Sequence, residues 1–126
     1  MTVLVDTSIW IEYFNGKSES LDKVDYLLEN NYAAINGVIL TELLPTIIRK
    51  RQTDLSFLLQ QIKRVDVAFR WETLVQYQVK NYERGINSVG ISDLIILNDT
   101  LENDIPILVR DKHFDLMEKG YKFKRF

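Results

Sequence analysis

Cysteine is absent from the 126 residues, which removes disulfide frameworks, zinc–thiolate sites and thiol nucleophiles from consideration. Proline occurs twice and glycine five times; there is no linker, repeat or low-complexity segment, and no glycine-rich loop that could cradle a phosphate. No run approaches the roughly 18 apolar residues of a membrane span, and no basic segment precedes the first apolar run as in a secretory leader. A cytoplasmic protein without membrane association is the expectation. Neither charge sign dominates. Sixteen basic against 18 acidic residues leave a net charge of −2, so the chain as a whole has no electrostatic reason to bind nucleic acid. What remains is ordinary for a soluble globular protein, with 46% hydrophobic and 27% charged residues. The length suits one domain, residues 1–126, around a single core.

Short apolar, β-rich runs alternate with segments of helical periodicity. Residues 2–6 read as a strand, followed by a helix from Ser8 to about Asn15 that ends near Gly16. Leu21, Val24, Leu27 and Leu28 mark an amphipathic helix; Tyr32–Ile35 reads as a second strand. Asn36-Gly37 turns into a helix through about Arg51, with Pro45 inside it as a predicted kink. Thr53 or Asp54 caps a helix striped by Leu55, Leu58, Leu59 and Ile62. Arg64–Val67 suggests a third strand, and Trp71, Leu74, Val75 and Val79 a helical face ending near Gly85. From Ser92 to about Glu102 runs a helix apolar on nearly every side, hence buried. Residues 107–110 read as a strand, 112–119 as a short helix ended by Gly120, and 121–125 as an edge strand. This alternation predicts an α/β fold: a three-layer α/β/α sandwich around a mostly parallel sheet of four to five strands.

Four acids sit where such a scaffold least readily accepts them. Asp6 closes Thr2-Val3-Leu4-Val5, Glu42 interrupts Val38-Ile39-Leu40 and Leu43-Leu44, Asp93 lies in Ile91–Leu97, and Asp111 follows Ile107–Arg110. A buried carboxylate costs several kcal/mol unless it is paired or holds a metal. Ligands of a parallel sheet bind outside the carboxyl ends of its strands. Asp6 and Asp111 stand at such ends, and Glu42 and Asp93 are expected in first helical turns, where the macrodipole favours negative charge. All four can therefore converge on one sheet edge. A cluster of carboxylates suits Mg²⁺ or Mn²⁺, which take oxygen ligands at about 2.0–2.1 Å in the magnesium case. Paired ions roughly 3.5–4 Å apart can stabilise both oxygens of an in-line phosphoryl displacement.

Taken singly, each acid has a plainer explanation: Asp6 and Asp93 as helix caps, Glu42 as a solvated helix glutamate, Asp111 as a turn residue. Their order and context together favour the metal site. The motifs Val5-Asp6-Thr7-Ser8-Ile9-Trp10-Ile11, Thr41-Glu42-Leu43, Ile91-Ser92-Asp93-Leu94-Ile95 and Arg110-Asp111-Lys112-His113-Phe114 resemble those of PIN-domain ribonucleases, and most closely VapC-type toxins of toxin–antitoxin modules. The resemblance runs through the whole chain. It implies a metal-dependent endoribonuclease whose catalytic and metal-binding quartet is Asp6, Glu42, Asp93 and Asp111. It further implies Mg²⁺ or Mn²⁺ as cofactor, an RNA substrate, a VapB-like antitoxin and a homodimer. The family's hydroxyl after the first acid maps onto Thr7 or Ser8.

This sequence departs from the pattern at Ile96-Leu97-Asn98, where relatives often carry small residues, and at His113, where they often carry a further acid that Asp115 would replace. Arg110 and Lys112 beside Asp111 are the better candidates for RNA contact; Arg49-Lys50-Arg51 with Lys63-Arg64 could flank RNA, but a solvated helix end explains them more simply. The apolar faces with Leu21, Leu27, Leu55, Leu58 and Ile62 suit either a groove for an antitoxin or ordinary helix–helix packing. Rival readings fit less well. A phosphoacceptor receiver needs paired acids after its first strand, and a haloacid-dehalogenase phosphatase needs an Asp where Ser8 stands. A catalytically silent PIN scaffold that binds RNA or protein is the alternative.

Overall fold

The computed structural model describes residues 1–126, the side chain of Ser18 excepted. Its centre is β1 (Val3–Val5), all of it fully buried, as a strand covered on both faces must be. β1 pairs in parallel with β2 (Ala33–Ile35) on one side, in the register Val3↔Ala33 and Leu4↔Ala34. On its other side stands β4 (Ile107–Leu108), paired as Leu4↔Ile107 and Val5↔Leu108. β3 (Lys63–Arg64) pairs in parallel with β2, giving a four-stranded sheet of order β3-β2-β1-β4. The chain thus winds outward through β2 to β3, then returns to the opposite side of β1. The crevice between β1 and β4 is the switch point at which such sheets bind ligands.

Among the described residues seven helices fill the connections. α1 (Thr7–Phe14) and α2 (Ser18–Glu29) join β1 to β2, and α3 (Gly37–Arg49) and α4 (Thr53–Gln61) join β2 to β3. α5 (Trp71–Glu83) and α6 (Ile91–Asn103) lead to β4, and α7 (Lys112–Met117) follows it. Together they make a three-layer α/β/α sandwich. α1 packs on α2 and α3, α3 on α4 and α6, and α5 on α6. Trp10, fully buried, anchors α1 through its indole N–H, which donates to the Val5 carbonyl at 3.0 Å. Gly16 and Gly85 take φ of +71° and +77° beyond the ends of α1 and α5, a conformation that costs glycine nothing.

Several boundaries differ from the sequence expectation. The strand predicted at 64–67 shrinks to Lys63–Arg64, and that at 107–110 to Ile107–Leu108. After Val65 donates to the Ile35 carbonyl, Asp66 instead accepts from the Gly37 N–H at 2.7 Å, and the chain leaves the sheet. The tail expected at 121–125 reduces to one parallel bridge, Ile107↔Arg125. Its aromatics are packed all the same, Phe123 against Phe114 and Phe126 against Tyr26. α4 is preceded by Gln52, with no side-chain cap from Thr53 or Asp54. Leu27 lies wholly inside the core, while Leu21, Leu55, Leu58 and Ile62 are half-buried.

The larger correction concerns α5. Of its predicted apolar face only Leu74 is buried; Trp71, Val75 and Val79 are exposed, and Tyr82 continues their stripe. Periodicity identifies a face but not the side on which its partner stands.

Candidate metal centre at the β1–β4 edge

β1 ends at Asp6, whose backbone N–H still donates to the Leu108 carbonyl of β4 at 3.0 Å. The chain then turns into α1 with Asp6 as its N-cap. One carboxylate oxygen, Oδ2, accepts from the Ser8 N–H at 3.3 Å and from the Ser8 hydroxyl at 2.8 Å. Capping explains where the side chain points, but not its burial. Asp6 is only 4% exposed, and that desolvation, opposed by the bonds from Ser8 and Thr7, pushes its carboxyl up from 3.8 to about 6. The charge on Asp111 adds to the rise.

Asp111 follows β4 and N-caps α7, accepting the His113 N–H at 2.7 Å. Asp93 sits in the first turn of α6, as expected, but caps nothing: Gly90 is the N-cap. Its Oδ2 lies 2.9 Å from His113 Nδ1, which is also 3.5 Å from Asp111 Oδ1. Burial raises the Asp93 carboxyl; the bond from His113 lowers it, and the charges of Asp111 and Glu42 raise it further. Glu42 corrects one expectation. α3 starts at Gly37, capped by Asn36, so Glu42 stands a turn further in, beyond the reach of the macrodipole. It is exposed, and the Thr7 hydroxyl fixes it by donating to Oε1 at 2.7 Å.

The acids are linked pairwise rather than all together: Asp111 acts on buried Asp6 and on half-buried Asp93, and exposed Glu42 acts on Asp93. Thr7 and Ser8 each steady one of them. The neighbouring basic residues do not offset the cluster. Arg110, expected to face RNA, pairs with Glu19 and, at 3.3 Å, with Glu12. Asp115 does not stand in for a missing acid, because Arg125 holds it at 2.6 Å. Lys112 is exposed. Among the described residues no lysine or arginine forms an ion pair with Asp6, Glu42, Asp93 or Asp111. Carboxylates gathered without a lysine or arginine suit a divalent cation, which would neutralise them. Asp93, Asp111 and His113 can hold one: each offers a donor atom, and these atoms lie within 4.8 Å of one another.

Sequence reasoning missed the support beneath this edge. Asp99 of α6 is buried, and its carboxylate accepts from Asn36 Nδ2 at 2.8 Å and from the Val67 N–H at 3.1 Å. Asn36 Oδ1 in turn caps α3 by accepting from the Ile39 N–H at 2.9 Å. Asp99 therefore ties the helix carrying Asp93 to the start of the helix carrying Glu42. The polar triplet Asn98-Asp99-Thr100 inside an apolar helix was the available signal. Asn98 itself faces α5, its Oδ1 accepting from the Tyr77 hydroxyl at 3.4 Å, rather than the acids. Beside Glu42 opens a cavity of about 260 Å³ between α1, α3 and α4, lined by Ile11, Phe14, Leu43, Ile47 and Leu55.

The sequence matches the PIN domain family over residues 3–120. The chain belongs to the PIN domain family. Among solved structures, its PIN fold is similar to VapBC2 from Rickettsia felis, determined bound to a DNA fragment from their promoter. That match has a TM-score of 0.74 at 17% identity and covers 99% of this chain and 96% of the other. A toxin–antitoxin complex from Klebsiella pneumoniae is similar at TM-score 0.66 and 19% identity, covering 90% of each chain. At these identities the likeness is one of fold. No curated protein sequence matches this one. No helix of this PIN domain, among the described residues, is long and apolar enough to cross a membrane.

Proposed function

We propose that this PIN domain is a metal-dependent endoribonuclease, the toxin of a toxin–antitoxin pair, in which Asp6, Glu42, Asp93 and Asp111 hold Mg²⁺ or Mn²⁺. The observation that supports this reading is the clustering of Asp93, Asp111 and His113 at the β1–β4 switch point, with Asp111 acting on Asp6 and Glu42 acting on Asp93, and with no lysine or arginine paired to these acids among the described residues. Bound there, a divalent cation would offset the charge of a phosphodiester and lower the pKa of a water. The chain's own residues do the rest. Asp6, with its carboxyl near 6, is largely ionised at neutral pH. Ser8 orients that carboxylate and Thr7 holds Glu42, so both oxygens are positioned before substrate arrives. Water attacks phosphorus, the P–O3′ bond breaks, and the 3′ oxygen takes up a proton. The products carry a 5′-phosphate and a 3′-hydroxyl.

The same reading includes two protein partners and a cytoplasmic location. The two structures compared above are VapBC2 bound to promoter DNA and a toxin–antitoxin complex, and the cavity beside Glu42, lined by Ile11, Phe14, Leu43 and Leu55 together with Lys50 and Gln52, is suited to an antitoxin side chain from which the active site could be covered. For self-association the exposed stripe Trp71, Val75, Val79 and Tyr82 on α5 is the natural surface. It has Arg70 and Glu72 at one end and Lys80 and Glu83 at the other. A second copy of α5 lying antiparallel would set opposite charges against each other.

Purified protein incubated with structured RNA tests the enzymatic part. Cuts that need Mg²⁺ or Mn²⁺ and vanish with Asp93→Asn are expected. Folded, partner-free protein that cuts nothing under either ion would leave a binding scaffold in place of an enzyme.

A further inference from the structure

We infer that His113 is a direct ligand of the bound cation, and that it biases the site toward first-row transition ions over Mg²⁺. The inference rests on the acids being metal ligands, as proposed above. Nδ1 of His113 lies between two carboxylates, 2.9 Å from Asp93 Oδ2 and 3.5 Å from Asp111 Oδ1. Adjacent donors around a six-coordinate ion at about 2.1 Å stand about 3 Å apart; the His113–Asp93 separation already has that value, and all three donor atoms lie within 4.8 Å of one another. The backbone that carries the ring is fixed. The His113 backbone N–H caps onto Asp111, and Phe114 next to it is fully buried, which fixes the start of α7 under the imidazole.

An all-oxygen site suits Mg²⁺, whereas an imidazole nitrogen shifts preference toward Mn²⁺, Co²⁺, Ni²⁺ and Zn²⁺. A competing role is possible on the same geometry: His113 could act only by hydrogen bonding, positioning Asp93. The two roles separate by which ions they affect. A ligand matters most to the nitrogen-tolerant ions; a positioning residue matters equally to all of them.

Metal-stripped wild type, His113→Ala and His113→Gln would be titrated calorimetrically with Mg²⁺, Mn²⁺ and Ni²⁺, and the Mn²⁺ forms examined by pulsed EPR for nitrogen hyperfine coupling. Both substitutions leave the backbone cap on Asp111 intact, so the fold is retained. The inference predicts nitrogen coupling in wild type that both variants lose, with Ni²⁺ affinity falling roughly 10–100-fold and Mg²⁺ affinity only a few-fold. Equal losses for all three ions, recovery in His113→Gln, or absence of nitrogen coupling would overturn it while leaving the metal site standing. If wild type binds none of the ions, the metal reading of the acids fails, and this inference with it.

Discussion

Replacing Asp6 by Asn should stabilise the metal-free protein while abolishing its activity. The carboxyl is raised from 3.8 to about 6 because it is desolvated at the end of β1. Its ionised form is therefore disfavoured by folding. The penalty is absent below the unfolded-state value, grows between about pH 4 and 6, and is complete above that window. Each unit corresponds to about 1.4 kcal/mol, so near neutral pH the cost approaches about 3 kcal/mol.

Asparagine has the same shape, and its carbonyl oxygen can still accept from the Ser8 N–H and hydroxyl. The new amide N–H₂ must find acceptors, which reduces the net benefit to about 1–2 kcal/mol. For 126 residues that is a rise in thermal midpoint of about 3–5 °C per kcal/mol. Urea unfolding of both proteins in chelator, near pH 7 and near pH 4, measures it. The advantage of Asp6→Asn should be clear at the higher pH and mostly gone at the lower. Saturating Mn²⁺ should reverse the order at neutral pH, because only wild type keeps the full site. Equal stability at neutral pH, or an advantage undiminished near pH 4, would refute the argument that ionising Asp6 carries a folding cost.

Other substitutions probe the supports. Asp99→Ala would leave Asn36 Nδ2 and the Val67 N–H without their buried acceptor; a loss of about 2–4 kcal/mol in urea unfolding is expected. Thr7→Val removes the hydroxyl that holds Glu42 and should lower RNA cleavage roughly 10–100-fold with the thermal midpoint nearly unchanged. Val75→Lys together with Val79→Lys should turn a dimer into a monomer by light scattering if the α5 stripe joins two copies; a wild type that is already monomeric would reject that interface.

The parts of the fold that the sequence made legible are those in which one local rule acts alone. Val3–Val5 is apolar, β-rich and closed by an acid, and it is the central strand. The α6 segment is apolar nearly all round, and most of it is buried from Leu94 to Thr100. The positions of Asp6, Asp93 and Asp111 at element boundaries followed from the same pattern. What failed depended on partners distant in sequence. β3 and β4 end where the chain leaves its neighbour, which Val65, Val67 and Val109 do nothing to signal. The stripe on α5 was visible, but not that it faces outward. Glu42 was misplaced by a turn although the helix start at Asn36-Gly37 was legible: six residues past the cap is already beyond the first turn. The support that Asp99 gives that cap, from 63 residues away, was not legible. Arg110 looked available to RNA until Glu12 and Glu19 came beside it.

In the proposed reaction the carboxylates at the β1–β4 edge direct hydrolysis of the P–O3′ bond with a divalent cation. End-group analysis of RNA fragments produced by wild type, beside Asp93→Asn and with chelator, tests it most directly. Expected are 5′-phosphate and 3′-hydroxyl ends that require Mg²⁺ or Mn²⁺ and are missing from the variant. Fragments ending in 2′,3′-cyclic phosphate, formed equally well in chelator or by Asp93→Asn, would contradict it.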